Sequence, residues 1–251
     1  MTEFSVTQNQ PRLSLIIPAY NEAALLPRLL DSVDIARARY ANGHDSVEVI
    51  VADNGSTDGT GALANARGCS VVEVTKRAIA TARNGGAKAA NGALLCFIDA
   101  DSRIHPETFN AVDHALSDDS VIGGATGIDF ERRSPGLAVT YAMFMPLVIL
   151  AGIDAGVVFC RRSDFEHLGG YDEKRLFAED IAFLFALKRL GWRRGQRLQR
   201  LPAVKAIAST RKFDEFGDWH YFTQMLRLGI LRAWSPAALD KFAQRYWYER
   251  S

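Results

Sequence analysis

The run Leu94-Leu95-Cys96-Phe97-Ile98-Asp99-Ala100-Asp101 constrains the fold most, because five apolar residues end abruptly in two carboxylates spaced i, i+2. An apolar run of this length without alternation fits a strand buried on both faces at the centre of a parallel sheet. Asp99 and Asp101 then fall where the strand leaves the sheet, the edge at which open α/β folds bind ligands. Two such carboxylates repel each other unless a hard divalent cation lies beside them, and Mg²⁺ or Mn²⁺ held this way takes its remaining ligands from water and phosphate oxygens. Two solvated turn aspartates at a strand end are the plain alternative.

The rest of the first half supports the parallel sheet, since apolar runs alternate with helical patterns. Strands are expected at Leu13 to Ile17, Val47 to Val51, Ser70 to Val74 and Ala93 to Ile98. Helices are expected over Leu25 to Arg39, Thr60 to Arg67, Ala78 to Ala90 and Pro106 to Leu116, with Pro27 and Pro106 confined to first turns. Beyond them, Val121 to Phe130, Ala155 to Cys160 and Ala203 to Ala208 read as strands and Asp180 to Leu190 as a helix. Two C-terminal helices are expected at about Glu215 to Leu231 and Pro236 to Tyr246. The expected organisation is a flexible segment 1–11 and one α/β domain over 12–210, with a helical extension at 211–251. Within the domain, 12–117 and 118–210 form two halves.

A chain of 251 residues with 48% hydrophobic and 24% charged residues has the make-up of a soluble globular domain. Its net charge of +1 gives no electrostatic case for nucleic acid. Cys69, Cys96 and Cys160 are odd in number and lack metal-ligand spacing; Cys96 and Cys160 lie in apolar runs, so buried hydrophobes in a reducing compartment are expected. The N-terminus has no signal-peptide pattern. The charge-free stretch Leu137 to Ile153 is at the short limit of a bilayer span and carries Pro146. It reads as a core or interfacial segment, preceded by Glu131, Arg132 and Arg133. The expected location is cytoplasmic, with peripheral contact to the inner face of a membrane.

Parallel strands share a carboxyl edge, so Glu22, Asp53, Asp99 and Asp101 are expected around one crevice. That much negative charge suits a cation together with a ligand rich in N–H and hydroxyl donors, such as a nucleoside. Arg83, in Ala82-Arg83-Asn84-Gly85-Gly86, adds a cation useful near a base or diphosphate. No GxxxxGK[ST] and no strand-led GxGxxG occurs, which weakens triphosphate hydrolysis and dinucleotide binding. Glu179-Asp180 opens a helix, either as capping acids that suit the helix dipole or as a general base and its neighbour.

The blocks Ser14 to Glu22, Val49 to Thr60, Arg83-Asn84, Phe97 to Asp101, and Gly169 to Glu173 followed by Glu179-Asp180 together resemble the family-2 inverting glycosyltransferases of the GT-A fold. The blocks stand in the family's order over about residues 12 to 190. The resemblance implies a mostly parallel central sheet flanked by helices, and metal-dependent sugar transfer from a nucleoside diphosphate sugar to a hydroxyl. It implies that Pro18, Ala19, Tyr20, Glu22 and Asp53 line the nucleoside pocket and that Arg83 approaches the base or diphosphate. Asp99-Ala100-Asp101 would be the donor-binding DXD motif, with Asp101 binding Mn²⁺ or Mg²⁺ directly and Asp99 contacting the ribose or the metal. Asp180 would be the catalytic base, and Glu179, with the Gly170-Tyr171 turn, would face the acceptor. Arg211, in Ser209-Thr210-Arg211-Lys212, matches a basic loop that closes over the donor diphosphate in some relatives, with an exposed basic turn as the alternative. His220 matches a histidine that completes the metal sphere in some relatives, with a packing residue in an aromatic-rich helix as the preferred alternative. A UDP-sugar is favoured over a GDP-sugar, and the acceptor, lipid-linked or a small molecule, would meet residues 130–177. A nucleotidyltransferase acting on a sugar phosphate and a non-catalytic nucleotide-sugar-binding protein are the rivals. The first is disfavoured by the acidic, glycine-free Pro18 to Glu22 turn.

Overall fold

The computed structural model describes residues 10–132, 134–175 and 178–218. All but the first four residues of the expected helix Glu215 to Leu231, the whole of Pro236 to Tyr246, His220 and most of segment 1–11 therefore lie outside the described residues. Among the described residues the core is a seven-stranded mixed sheet of order β3 (Ser70–Glu73), β2 (Val47–Asp53), β1 (Leu13–Ala19), β4 (Leu94–Phe97), β7 (Val158–Arg161), β5 (Val121–Ala125), β8 (Arg197–Arg200). Strand β1 (Leu13–Ala19) is buried throughout and pairs in parallel with β2 (Val47–Asp53) and β4 (Leu94–Phe97), and β2 pairs in parallel with β3 (Ser70–Glu73). These four strands share one carboxyl edge.

Helix α1 (Leu26–Ala38) buries Leu26, Leu29, Leu30, Val33 and Ala36, the i, i+3, i+4, i+7 stripe that fastens it to the sheet. Each fully buried leucine in that stripe stabilises the fold by about 1.5–3 kcal/mol. Helix α2 (Thr60–Ala66) returns the chain to β3. Helix α3 (Ile79–Ala89) is built from small residues for a steric reason. A Cβ on Gly86 would lie 2.5 Å from Ile16 Cγ2, so the helix backbone rests directly on β1.

After α4 (Thr108–Ser117) the sheet becomes mixed. The run Val121 to Phe130, expected as one strand, is two: β5 (Val121–Ala125) and β6 (Ile128–Phe130). Gly127 at φ 79° breaks the extended backbone between them. Helix α5 (Pro135–Ala151) follows, and the chain re-enters as β7 (Val158–Arg161), antiparallel to both β4 and β5. Helix α6 (Arg162–Leu168) leads toward α7 (Glu179–Arg193). Edge strand β8 (Arg197–Arg200) pairs in parallel with β5, and β9 (Ala206–Ala208) pairs with β6. The described chain closes with α8 (Arg211–Phe216). Cys69, Cys96 and Cys160 are buried and free, and no helix among the described residues is long and apolar enough to cross a membrane.

Candidate active site

The carboxyl edge of β1, β2 and β4 is built by two loops that hold each other. Asn21 adopts φ 52°, a left-handed conformation that asparagine tolerates better than most residues. Its backbone N–H donates to Ser56 Oγ at 3.0 Å, and its side-chain oxygen accepts from the Thr57 N–H at 2.9 Å. The Glu22 N–H donates to Thr60 Oγ1 at 2.9 Å, and the Ala23 N–H to Asp58 Oδ2 at 3.0 Å. Asn54 donates from its amide to the Val74 and Lys76 carbonyls, fixing the end of β3 beside them. The polar string after β2 thus serves mainly to rivet the β1 and β2 loops, which fixes Asp53 and Glu22 relative to one another.

Asp53 closes β2 and accepts the Ser56 N–H through Oδ1 at 2.8 Å. The floor beneath it is tight, because a Cβ on Gly61 would come within 2.7 Å of its second oxygen. Tyr20 stands at the end of β1 with the Arg77 guanidinium 3.8 Å above its ring centroid. Pro18 and Ala19 belong to β1 itself and pair in register with Ala52 and Asp53.

Arg83 organises the deeper side. Only 6% exposed, it donates from one guanidinium nitrogen to Asp99 Oδ1 at 2.8 Å and from another to Glu179 Oε1 at 2.5 Å. Burial opposes its charge, but the carboxylates of Asp99, Glu179 and Asp180 outweigh that and raise its pKa. Glu179, itself buried, has its pKa lifted chiefly by burial and also by Asp180, against the pull of Arg83. The charge of Asp180 is therefore felt at both groups. Ala178, just before this turn, holds φ 53°, a left-handed conformation costly for alanine that starts α7 abruptly at Glu179.

The described part of the 169–178 segment is tied to α3. Asn84 accepts the Tyr171 N–H at 2.8 Å and donates to the Tyr171 carbonyl at 2.9 Å and to Glu173 at 3.1 Å, while Lys76 reaches Glu173 at 3.1 Å. Gly170 at φ 78° leaves room for this clasp, since a Cβ there would strike Asn84 Oδ1 at 2.6 Å. The expectation that Tyr171 faces an acceptor is corrected by its burial. Only 2% exposed, its ring packs against Phe97, Phe165 and Phe183 beneath the crevice. Its phenol pKa is pushed up by that burial.

Arg211 opens α8 and closes the outer side. It donates to Glu22 Oε1 at 2.8 Å and lies 3.9 Å from Asp101 Oδ2. One arginine thus bridges the end of β1 to Asp101, as Arg83 bridges Asp99 to α7. Ala100 between the two aspartates is buried, while the Asp99 side chain stays 52% exposed. No third histidine, cysteine or carboxylate is grouped with another pair as a metal cage among the described residues. A donor set of one or two carboxylates suits a hard cation that is completed by diphosphate and water.

Sequence reasoning missed Arg77, Lys76 and the clasp made by Asn84. The first two follow β3 on the ligand-binding edge, and that position is the signal that pointed to them.

The mixed sheet, parallel over β3-β2-β1-β4, with helices flanking it, is the GT-A fold. The mannosyltransferase PcManGT of Pyrobaculum calidifontis, solved with GDP-Man and Mn²⁺, superposes with a TM-score of 0.63 at 24% identity, over 80% of this chain and 57% of that one. TarS of S. aureus in complex with UDP-GlcNAc superposes with a TM-score of 0.60 at 18% identity, over 79% of this chain and 58% of that one. By sequence, the chain is 33% identical over 150 residues to validoxylamine A glucosyltransferase of Streptomyces hygroscopicus subsp. jinggangensis, covering 56% of this chain and 35% of that relative. The chain thus spans about a third of that relative's length. Residues 14–169 match the family model for glycosyl transferase family 2, and the chain belongs to that family.

Proposed function

We propose that this chain is a metal-dependent inverting glycosyltransferase that moves a sugar from a nucleoside diphosphate sugar, UDP-linked in preference to GDP-linked, to an acceptor hydroxyl. The observation that carries the reading is the pair of arginine bridges. Arg83 joins Asp99 to the Glu179-Asp180 turn, and Arg211 joins Glu22 to Asp101, so four segments meet at one sheet edge. Family membership supports the reaction class. The Mn²⁺ and nucleotide-sugar ligands named for the similar structures support the donor and the cation.

In this reading Asp53 accepts an N–H of the base and Glu22 lies near the ribose. Tyr20, Pro18 and Ala19 border the nucleoside. Asp101, with Asp99, holds Mn²⁺ or Mg²⁺. The bound cation supplies Lewis-acid stabilisation of the negative charge that grows on the leaving diphosphate. Arg211 adds a positive charge on the same side of the crevice. Asp180 removes the proton from the acceptor hydroxyl as its oxygen attacks the anomeric carbon opposite the leaving group. Glu179, fixed by Arg83, orients the turn that carries Asp180. The acceptor meets residues 130–177.

The test is thermal stabilisation by UDP, GDP and their sugars with and without Mn²⁺, followed by donor turnover on the sugar that stabilises most. A ligand at 100 times its Kd adds about 2.7 kcal/mol. No stabilisation by any combination would sink the proposal. Pyrophosphate release from a nucleoside triphosphate would favour a nucleotidyltransferase, and binding without turnover a non-catalytic binding protein.

A further inference from the structure

The outward face of α7 is not explained by the site at its first turn. Ile181, Phe185 and Trp192 are 46%, 47% and 82% exposed, and at 100° per residue they share one face with Lys188 and Arg189. A tryptophan so bare on a helix that otherwise packs well marks an interaction surface. From Ile181 to Arg200 the sequence carries Lys188, Arg189, Arg193, Arg194, Arg197 and Arg200 and no carboxylate. Arg194 pairs with Asp164, Arg197 with Asp118 and Arg200 with Asp154. Arg189 and Arg193 form no ion pair among the described residues.

The end of α5 adjoins this face. A Cβ on Gly152 would lie 3.8 Å from Lys188 Nζ, and Leu150, two residues earlier, is 84% exposed at the end of a charge-free helix. Aliphatic and aromatic side chains interleaved with cations match a bilayer interface, where the apolar tips enter the acyl boundary and the cations meet anionic headgroups. A second copy of the same face fits poorly, because it brings Arg189 and Arg193 against like charges, and neither has an acid partner among the described residues.

We infer that the α7 face, continued by Leu150, docks this chain peripherally on an anionic lipid surface. The inference does not rest on the proposed reaction. Its test is flotation of the full chain with phosphatidylcholine vesicles and with vesicles that also contain phosphatidylglycerol. Binding is expected only to the second, with release as salt is raised. Arg189→Glu with Arg193→Glu should weaken binding by on the order of tenfold or more, at about fivefold per cation lost. Trp192→Ser should weaken it independently, while thermal melts and donor turnover without vesicles stay at wild-type values, because all three side chains are exposed. Three results would overturn the inference: no flotation with anionic vesicles, equal flotation of the variants and wild type, or a concentration-dependent dimer that Trp192→Ser dissociates.

Discussion

Arg83 and Glu179, 96 residues apart in sequence, meet at 2.5 Å in a buried pair that fixes the first turn of α7 to α3. Because both groups are out of water, losing one leaves the other as an uncompensated buried charge. Arg83→Leu is expected to cost about 3–5 kcal/mol in urea unfolding, and Arg83→Leu combined with Glu179→Leu to recover part of that loss. Arg83→Lys should fall short of wild type, since one ammonium lacks the fork that serves Asp99 and Glu179 together. A double variant no more stable than Arg83→Leu would show that the pairing is not what the single change disrupts.

Asp180→Asn keeps the shape of the turn but removes the proton acceptor of the proposed mechanism. Turnover is expected to drop by about 10²–10⁴-fold while donor Kd changes little. Steady-state kinetics beside calorimetric donor titration separates the two. Wild-type turnover in this variant would remove Asp180 from the mechanism.

Asp101→Asn should abolish the part of donor affinity that depends on Mn²⁺ and spare the part that does not. Titration of the nucleoside diphosphate with and without Mn²⁺ reads this directly. Equal Mn²⁺ enhancement in variant and wild type would place the cation elsewhere.

Asp113 offers a pH test remote from the site. It accepts hydrogen bonds from Arg12, Tyr40 and Asn42, and although burial pushes its pKa upward, these donors bring it below the ordinary 3.8. A depressed folded-state pKa stabilises the fold above the unfolded value and loses that contribution as pH falls through the folded one. Asp113→Asn should therefore cost about 1–3 kcal/mol near neutrality, and its gap from wild type should narrow below pH 3.8. A gap that is constant with pH would show that the ionised form contributes nothing.

Much of the first half was legible from the sequence because local pattern and global burial agree there. Leu26, Leu29, Leu30 and Val33 declare α1, and the mostly apolar runs of β1, β2 and β4 declare the central sheet. Where they diverge, the sequence misled. Val121 to Phe130 looks continuously extended, yet Gly127 turns the chain. Edge strand β8, Arg-Leu-Gln-Arg, carries one apolar residue and gave no strand signal. The Gly169-Gly170-Tyr171 turn suggested an exposed contact, but an aromatic cluster contributed by β4, α6 and α7 takes the ring inward. The strand-end carboxylates could be placed by topology alone. The Arg83 bridge could not, since nothing local marks which acid, nearly a hundred residues away, an arginine will meet.

Ala125, the last residue of β5, pairs directly with Val158, the first of β7. Everything the chain does between them, residues 126–157, is therefore a detour whose entrance and exit are adjacent rungs of one ladder. The detour is also tied down from within, since its strand β6 pairs with β9 and its Asp154 holds Arg200 of β8. Under the proposed function, exchanging it together with its partner strand β9 is the natural way to re-target this scaffold to a new acceptor.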